Sequence, residues 1–315
     1  MATEKTISSA AISFANFMTS SSSSALTETA AEHGSSTNMS TEQSLYPRSN
    51  LTSPQRSKTW RSSDTGVKKH VAIAMDAGSY RIPTVFALVN SNLSYNTAVF
   101  LVAGGATETL TVQPNERTIT ATQIMLQGSN SSSFANSQDF TYNLYEADSD
   151  NGVLRFYIDK DDDNAAIGGL GLRYWRVVFN KDSTASPYVE LGQFWLGTVT
   201  EIAPEIGSLK STQNDPSPVS ASYGGTQYYD SIDPVRTINF GVKHAEDAAE
   251  VIPLQKLAAA SGATREALID ISAWSTDATR KASDTYYGRL TKSGFKWTAK
   301  FQRRRSVQFS FVEAR

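Results

Sequence analysis

The feature that most restricts this chain is a succession of short apolar runs, each closed by glycine, asparagine or aspartate. HVAIAMDAG (His70–Gly78), TVFALVN (Thr84–Asn90) and NTAVFLVAGG (Asn96–Gly105) come first. TLTVQ, FTYNLYEA, VLRFYID, YWRVVFN and YVELGQFWLG follow, separated by Asn, Asp, Ser and Gly clusters. Turns at roughly 8–14-residue intervals, with no long helical pattern between them, predict a β-sandwich or jelly roll over residues 46–206. The chain has 315 residues, more than one average domain, so a second unit is expected.

That second unit has a different rhythm. GSLKSTQNDPSP (Gly207–Pro218) gathers polar residues and prolines, and residues 207–235 read as a linker. RTINFGV (Arg236–Val242) reads as a strand, and HAEDAAEVIPLQKLAAASG as the one substantial helix, with Glu246 and Asp247 near its positive end and Gly262 as its cap. Pro253 fits a helix start or a kink. ALIDIS, TYYGRL, FKWTAKF and SVQFSFVEA then predict an antiparallel sheet, the last placing Val307, Phe309 and Phe311 on one face. Residues 236–315 are therefore expected to form a small α+β domain. The fold class is mainly β throughout.

Residues 1–45 are Ser- and Thr-rich, with a serine run at Ser20–Ser24. Such a segment cannot bury enough apolar surface to offset its own ordering, which predicts an extended or disordered arm. AISFANFM (Ala11–Met18) adds an apolar anchor that a plain solvated tail does not need, and an arm that orders against a neighbouring subunit would use it.

Composition narrows the chemistry. Cysteine is absent, which removes disulfides, thiolate metal sites and cysteine nucleophiles. His33, His70 and His244 stand apart, with neither an H-x-x-x-H spacing nor a G-x-S-x-G elbow beside them. No catalytic residue and no cofactor is assigned. GGLG (Gly168–Gly171) leads into a strand, not a helix N-terminus, and reads as a turn. The longest apolar stretches, such as Val85–Val89 and Ala98–Ala103, fall far short of a membrane span. No secretory leader is evident, and a soluble product made inside the cell is expected.

Charge is balanced overall, at net −2, but is unevenly placed. Glu146–Asp163 holds seven acids against Arg155 and Lys160, while Arg280–Arg315 holds ten Lys and Arg against Asp284 and Glu313. Opposite poles on a nearly neutral chain suit head-to-tail contacts between copies. Arg303, Arg304 and Arg305, set against Asp161, Asp162 and Asp163, are the candidate subunit contacts. The same arginines would also serve as a charged strand edge. Asp159, Asp161 and Asp163 could hold Ca2+, or form a solvated turn; the loop lacks the glycine and distal glutamate of an EF-hand, and no metal is assigned. Nucleic acid is the competing partner for the basic end, given Phe295, Trp297 and Phe301. Alternation in FKWTAKFQ puts aromatics and cations partly on opposite faces, as in an ordinary half-buried sheet, so no nucleic-acid partner is expected. For sugar stacking, Tyr95, Tyr142 and Tyr145 are the candidates, with Trp60 and Trp195 expected in the core.

Two resemblances carry further expectations. Asn50-Leu51, Trp60-Arg61-Ser62 and Asp76-Ala77-Gly78, with the later strand Arg173-Tyr174-Trp175-Arg176-Val177, resemble discoidin-like, galactose-binding-like β-sandwiches. The order LRYWRVVF, YVELGQFWLGTVTEI, SASYGGTQYYD, RTINFGV, helix, ALIDIS, TYYGRL and FSFVEAR resembles distal tail proteins of long-tailed bacteriophages, found near the tail tip and baseplate. The second resemblance implies a non-enzymatic virion component made in the host cytoplasm. It would form a homo-oligomeric ring around the tail tube, meet hub or fibre proteins, and use its sandwich as a platform for fibres or host contact. The first implies, as an alternative, a carbohydrate-binding module that recognises a surface glycan.

Overall fold

The computed structural model describes residues 10–13, 16–17, 44–53, 58–62, 70–92, 109–112, 117–120, 123–132, 134, 137–143, 153–158, 171–180, 188–202, 206–215, 217–229, 234–246, 251–261, 265–273, 275, 284–301 and 304–314. In chain order the first strands are β1 (Ala10–Ser13), β2 (Trp60–Arg61), β3 (His70–Arg81), β4 (Val85–Ser91), β5 (Thr109–Val112) and β6 (Arg117–Thr120). Then come β7 (Gln123–Ser129), β8 (Gln138–Asn143), β9 (Val153–Tyr157), β10 (Leu172–Asn180) and β11 (Glu190–Gly197). Two four-stranded antiparallel sheets, ordered β3-β10-β7-β8 and β2-β11-β4-β9, form the expected sandwich. Alternation decides what fills it. Ile73, Met75, Ile124, Leu126, Trp175 and Val177 point inward from one sheet, and Phe86, Leu88, Leu154, Phe156, Phe194 and Leu196 from the other, in one shared core.

The remaining strands are β12 (Thr200–Ile202), β13 (Ile206–Asn214), β14 (Val219–Ala221), β15 (Gln227–Tyr229), β16 (Val235–Glu246), β17 (Glu266–Asp270), β18 (Thr285–Phe301) and β19 (Arg304–Glu313). Seven strands make one open sheet, ordered β12-β1-β17-β18-β19-β16-β13. One face packs Ile238, Phe240, Val242, Val307, Phe309 and Phe311 with Val251, Leu254 and Ala258, the last two from helix α1 (Ile252–Ser261).

Part of the opposite face meets the sandwich. Ala11, Leu268 and Tyr287 from the large sheet pack with Val85, Ala87, Val89, Val153, Tyr157 and Trp195 from the β2-β11-β4-β9 sheet. That middle sheet is covered on both faces, which is why β4 reads as a continuous apolar run through Val89 and why every residue of β9 is buried, the charged Arg155 included. Sandwich, open sheet and helix are stacked layers of one packed body.

Three boundaries differ from the expectation. Residues 207–235 do not form a plain linker: β13 pairs with β16 from Asn214↔Val235 to Ile206↔Val242, and β14 and β15 make a separate hairpin. The polar composition of GSLKSTQN reflects a sheet edge with solvent on one side. The helix starts later than predicted, because β16 continues through His244 to Glu246, pairing Ala245↔Arg305 and Glu246↔Arg304. Pro253 falls in the first turn of α1, where a missing N–H costs no helical bond. Finally, the apolar anchor of the N-terminal segment is β1. It docks in this chain's own sheet, between β12 and β17.

Candidate functional site

The residues behind the sandwich resemblance turn out to be its fasteners. Leu51 and Trp60 are buried in the core, and the Asn50 side-chain amide donates to the Thr59 carbonyl at 2.8 Å. The Val189 amide donates to Ser62 Oγ at 2.9 Å. Arg61 lies over the rings of Tyr46 and Tyr188, at 3.8 and 4.6 Å, while its Nε donates to Glu190 at 2.9 Å.

Asp76 and Arg173, far apart in sequence, form a two-pronged pair: Nε to Oδ1 at 2.9 Å and Nη2 to Oδ2 at 2.8 Å. Gly78, at φ +72°, turns its amide back onto Asp76 Oδ1 at 2.7 Å, a conformation that favours glycine. The Arg173 guanidinium, helped by the Gly78 amide, holds the Asp76 carboxyl below its ordinary value against the opposing effect of burial. A carboxyl lowered on folding stabilises the protein above its unfolded pKa, and that contribution disappears as pH falls through the folded value. Asp76→Asn is thus expected to melt below wild type at pH 7, with the gap closing as pH drops below about 4. A gap independent of pH, in calorimetry across that range, would assign the residue a purely steric role.

Deeper in the same sheet, burial pushes the Arg176 guanidinium down to about 10. It still carries a proton at neutral pH. Its Nε donates to Gln127 Oε1 at 2.8 Å, Gln127 Nε2 donates to Asp139 at 2.8 Å, and the Phe134 ring lies 4.5 Å from the cation. Arg176 and Gln127 are both buried within this network.

Of the predicted contact residues, Arg305 is placed in full: on β19, its guanidinium lies 3.9 Å over the ring of Trp297 on β18. Arg304 opens β19. Arg303, Asp159, Asp161, Asp162, Asp163, Tyr95 and Tyr145 lie outside the described residues. Tyr142 is corrected: it is buried in the sandwich core, 5.2 Å from both Phe86 and Phe156 by ring centroids, and no sugar could stack on it. Its position alternates inward on β8 with Phe140. Trp60 and Trp195 are core residues as expected, the Trp195 indole N–H donating to Ser13 Oγ at 3.1 Å. His70 opens β3 and His244 lies within β16; His33 is outside the described residues. Among the described residues no three His, Asp or Glu side chains are grouped as metal ligands, and no helix is long and apolar enough to cross a membrane.

The exposed aromatic residues gather elsewhere. The β14–β15 hairpin closes on Ser222–Thr226, where the Ser222 amide donates to the Thr226 carbonyl at 2.8 Å and Gly225 takes φ +82°. Tyr223 at its tip is fully exposed, and Val219 and Tyr228 on its strands are 56% and 58% exposed. Within the large sheet, Trp297 on β18 is 41% exposed, opposite Val307 of β19, which pairs in turn with Val242 of β16. Tyr80, on β3 near Arg173, is also exposed. Between the sheet's two ends, Gly241 leaves an open depression of about 320 Å³, with Asn239, Lys296, Gln308 and Ser310 around it. These amides, the hydroxyl and the ammonium can hydrogen-bond a polar or anionic surface group. Sequence reasoning passed over Tyr223 and Tyr228, although a Tyr-Gly-Gly turn between short polar strands is a legible hairpin signal.

No family model matches this sequence, and no curated protein does either. Solved structures similar to it include a fucose binding module of Streptococcus pneumoniae, SpX-3, at 10% identity and a TM-score of 0.32 over 58% of this chain and 96% of that one. A second is CBM32-1, from a family 31 glycoside hydrolase of Clostridium perfringens, at 12% identity and a TM-score of 0.30 over 50% and 88%. A third is the lectin binding domain of lectinolysin complexed with Lewis b, a His 62 mutant, at 11% identity and a TM-score of 0.32 over 54% and 97%.

Proposed function

We propose that this protein is a non-catalytic assembly component, of the distal tail or baseplate kind that its sequence resembles, working in a virion as a homo-oligomer around the tail-tube end. The observation that carries the assembly reading is the form of the seven-stranded sheet. Among the described residues it is open at both edges, a separate two-stranded hairpin beside it leaves Tyr223 and Tyr228 exposed, and Trp297 on β18 is 41% exposed beneath the Arg305 guanidinium. Exposed aromatics on projections are characteristic anchors of protein contacts. The mechanism in this reading is docking: the rigid body sets the angle between neighbours, and the sandwich projects to meet fibre proteins or the host surface. The mass of the full-length chain, by light scattering at low and high salt, tests it. Discrete oligomers that weaken with salt are expected; a monomer at every concentration sinks the reading.

A second reading, glycan recognition by the sandwich, is favoured by one observation, the exposed Tyr80 ring beside the fixed Asp76–Arg173 pair. An aromatic face with a charged hydrogen-bonding neighbour suits a sugar ring. Fucose and Lewis b, named for the modules above, are apt probes. Saturable binding that Tyr80→Ala abolishes would establish this reading, and no binding by either probe would remove its support.

A further inference from the structure

We infer that the open depression over Gly241 is a binding site for a small hydroxylated anion, of the sugar-acid or sugar-phosphate class, separate from the Tyr80 surface of the sandwich. Strand registers build it. One row of opposed residues runs Lys210, Asn239 and Ser310 across β13, β16 and β19, and the next runs Gly241, Gln308 and Lys296 across β16, β19 and β18. Opposed residues share a face. This face is the reverse of the helix-packed one, because Phe240, Phe309 and Phe295 alternate with these positions and pack in the core on the helix side. What stands open, at about 320 Å³, is therefore polar: the amides of Asn239 and Gln308, the Ser310 hydroxyl and the Lys296 ammonium, with Lys210 beside Asn239 at the rim.

Three features point to a ligand of that chemistry. The side chains of Asn239, Lys296, Gln308 and Ser310 make no hydrogen bond or ion pair with another described residue, so their donors and acceptors are free. Neither row contains an acid, and the lysines enter from opposite sides, on strands three spacings or about 14 Å apart. Gly241 lies inside β16 and outside the left-handed region, so the backbone does not require glycine there. A glycine within a strand weakens it, and has a use where another molecule approaches the backbone closely. Amides and a hydroxyl match the mixed donor and acceptor character of sugar hydroxyls, and the ammonium matches a carboxylate or phosphate. Phe240 and Phe309, the rings among the lining residues, are buried on the other face, which leaves no platform for a nucleobase.

Calorimetric titration of the full chain tests this with glucuronate, glucose 6-phosphate, glucose and inorganic phosphate. An acidic sugar should bind saturably, and glucose and inorganic phosphate at least about tenfold more weakly, since each offers half of the chemistry. Binding by one acidic sugar alone supports the inference and identifies the anionic group. Lys296→Glu should abolish the binding. Gly241→Val, which places a strand-compatible side chain on the floor of the depression, should do the same. Lys256→Glu, an equal charge change on the exposed surface of α1 at the opposite face, should leave it intact. Melting curves confirm that each variant is folded, and Lys296→Gln stands in if Lys296→Glu is not. No binding by either acidic sugar overturns the inference, as does inorganic phosphate binding equally well, or affinity that survives both Lys296→Glu and Gly241→Val. A single-stranded oligonucleotide that binds more tightly than the acidic sugars also overturns it, in favour of a polynucleotide.

Discussion

Asp270→Ala is expected to lower the unfolding free energy by about 3–5 kcal/mol, the range for removing one partner of a buried ion pair. Asp270 ends β17 on the large sheet, while Arg155 lies on β9 of the sandwich, and the two are joined with side chains 2% and 3% exposed. The Tyr157 hydroxyl donates to the same carboxylate at 2.7 Å, and the Arg155 cation lies 5.2 Å from the Tyr157 ring. Removing the carboxylate leaves a guanidinium in a dry layer, facing Ala87 and Trp195 along the strands beside it. The cost is therefore mainly the stranded charge. Arg155→Met should be comparably damaging alone, and Arg155→Met with Asp270→Leu should recover much of the loss, since an apolar pair strands no charge, the remaining cost being the bond the Tyr157 hydroxyl loses. Urea titration also reports on coupling. If the pair helps to lock the two halves together, the Asp270→Ala transition should broaden or split, with a lower slope than wild type. A cost below about 1 kcal/mol would mean that solvent reaches this layer.

That ion pair shows where sequence reading reaches and where it stops. Strand existence was legible, because alternation and turn residues act locally: Ile73 and Met75, or Val307 and Phe309, declare their face within a few positions. The residues of the sandwich resemblance were legible as a set, and the structure joins two of them, since Asp76 and Arg173 bond across paired strands β3 and β10. Which faces meet was not legible. Val85, Ala87 and Val89 look like one more apolar alternation, and only the assembled layers show that they face a second sheet while Phe86 and Leu88 face the first. The same ambiguity misplaced Tyr142. A tyrosine in FTYNLYEA suits a sugar platform or a core equally well until the register on β7, Ile124↔Tyr142, fixes its side. Charge clusters led toward contacts for the opposite reason. They can be counted in sequence, whereas the exposure that separates Tyr223 from Tyr142 is a property of the fold.

Removing residues 1–17 is expected to cost the large sheet its integrity, not merely an arm. β1 is interior: it pairs on one side with β12, Ala10↔Ile202 to Ile12↔Thr200, and on the other with β17, Ala11↔Asp270 to Ser13↔Leu268. Among the described pairings β12 reaches the sheet through β1 alone. Ile12 is fully buried in the helix-side core and Ala11 in the layer against the sandwich. Beyond the strand, the Asn16 side chain donates to the Phe194 carbonyl at 3.0 Å and accepts from the Leu196 amide at 3.0 Å, and the Phe17 amide donates to the Leu196 carbonyl at 2.7 Å. The segment thus bonds both halves of the body. Ile12→Ala alone should cost about 2–5 kcal/mol through lost transfer energy and the cavity left behind. The deletion adds two unpaired strand edges and the Trp195 indole N–H, deprived of Ser13. A truncation ending at residue 9 leaves β1 in place and separates loss of the strand from loss of length. A peptide of residues 1–17, added to the longer truncation, should refill the slot between β12 and β17 by strand addition and raise its melting temperature. If the truncated chain melts where the intact one does, β1 is dispensable to the sheet; if it melts far lower and the peptide restores it, the segment that composition marks as a tail is one of the sheet's inner strands.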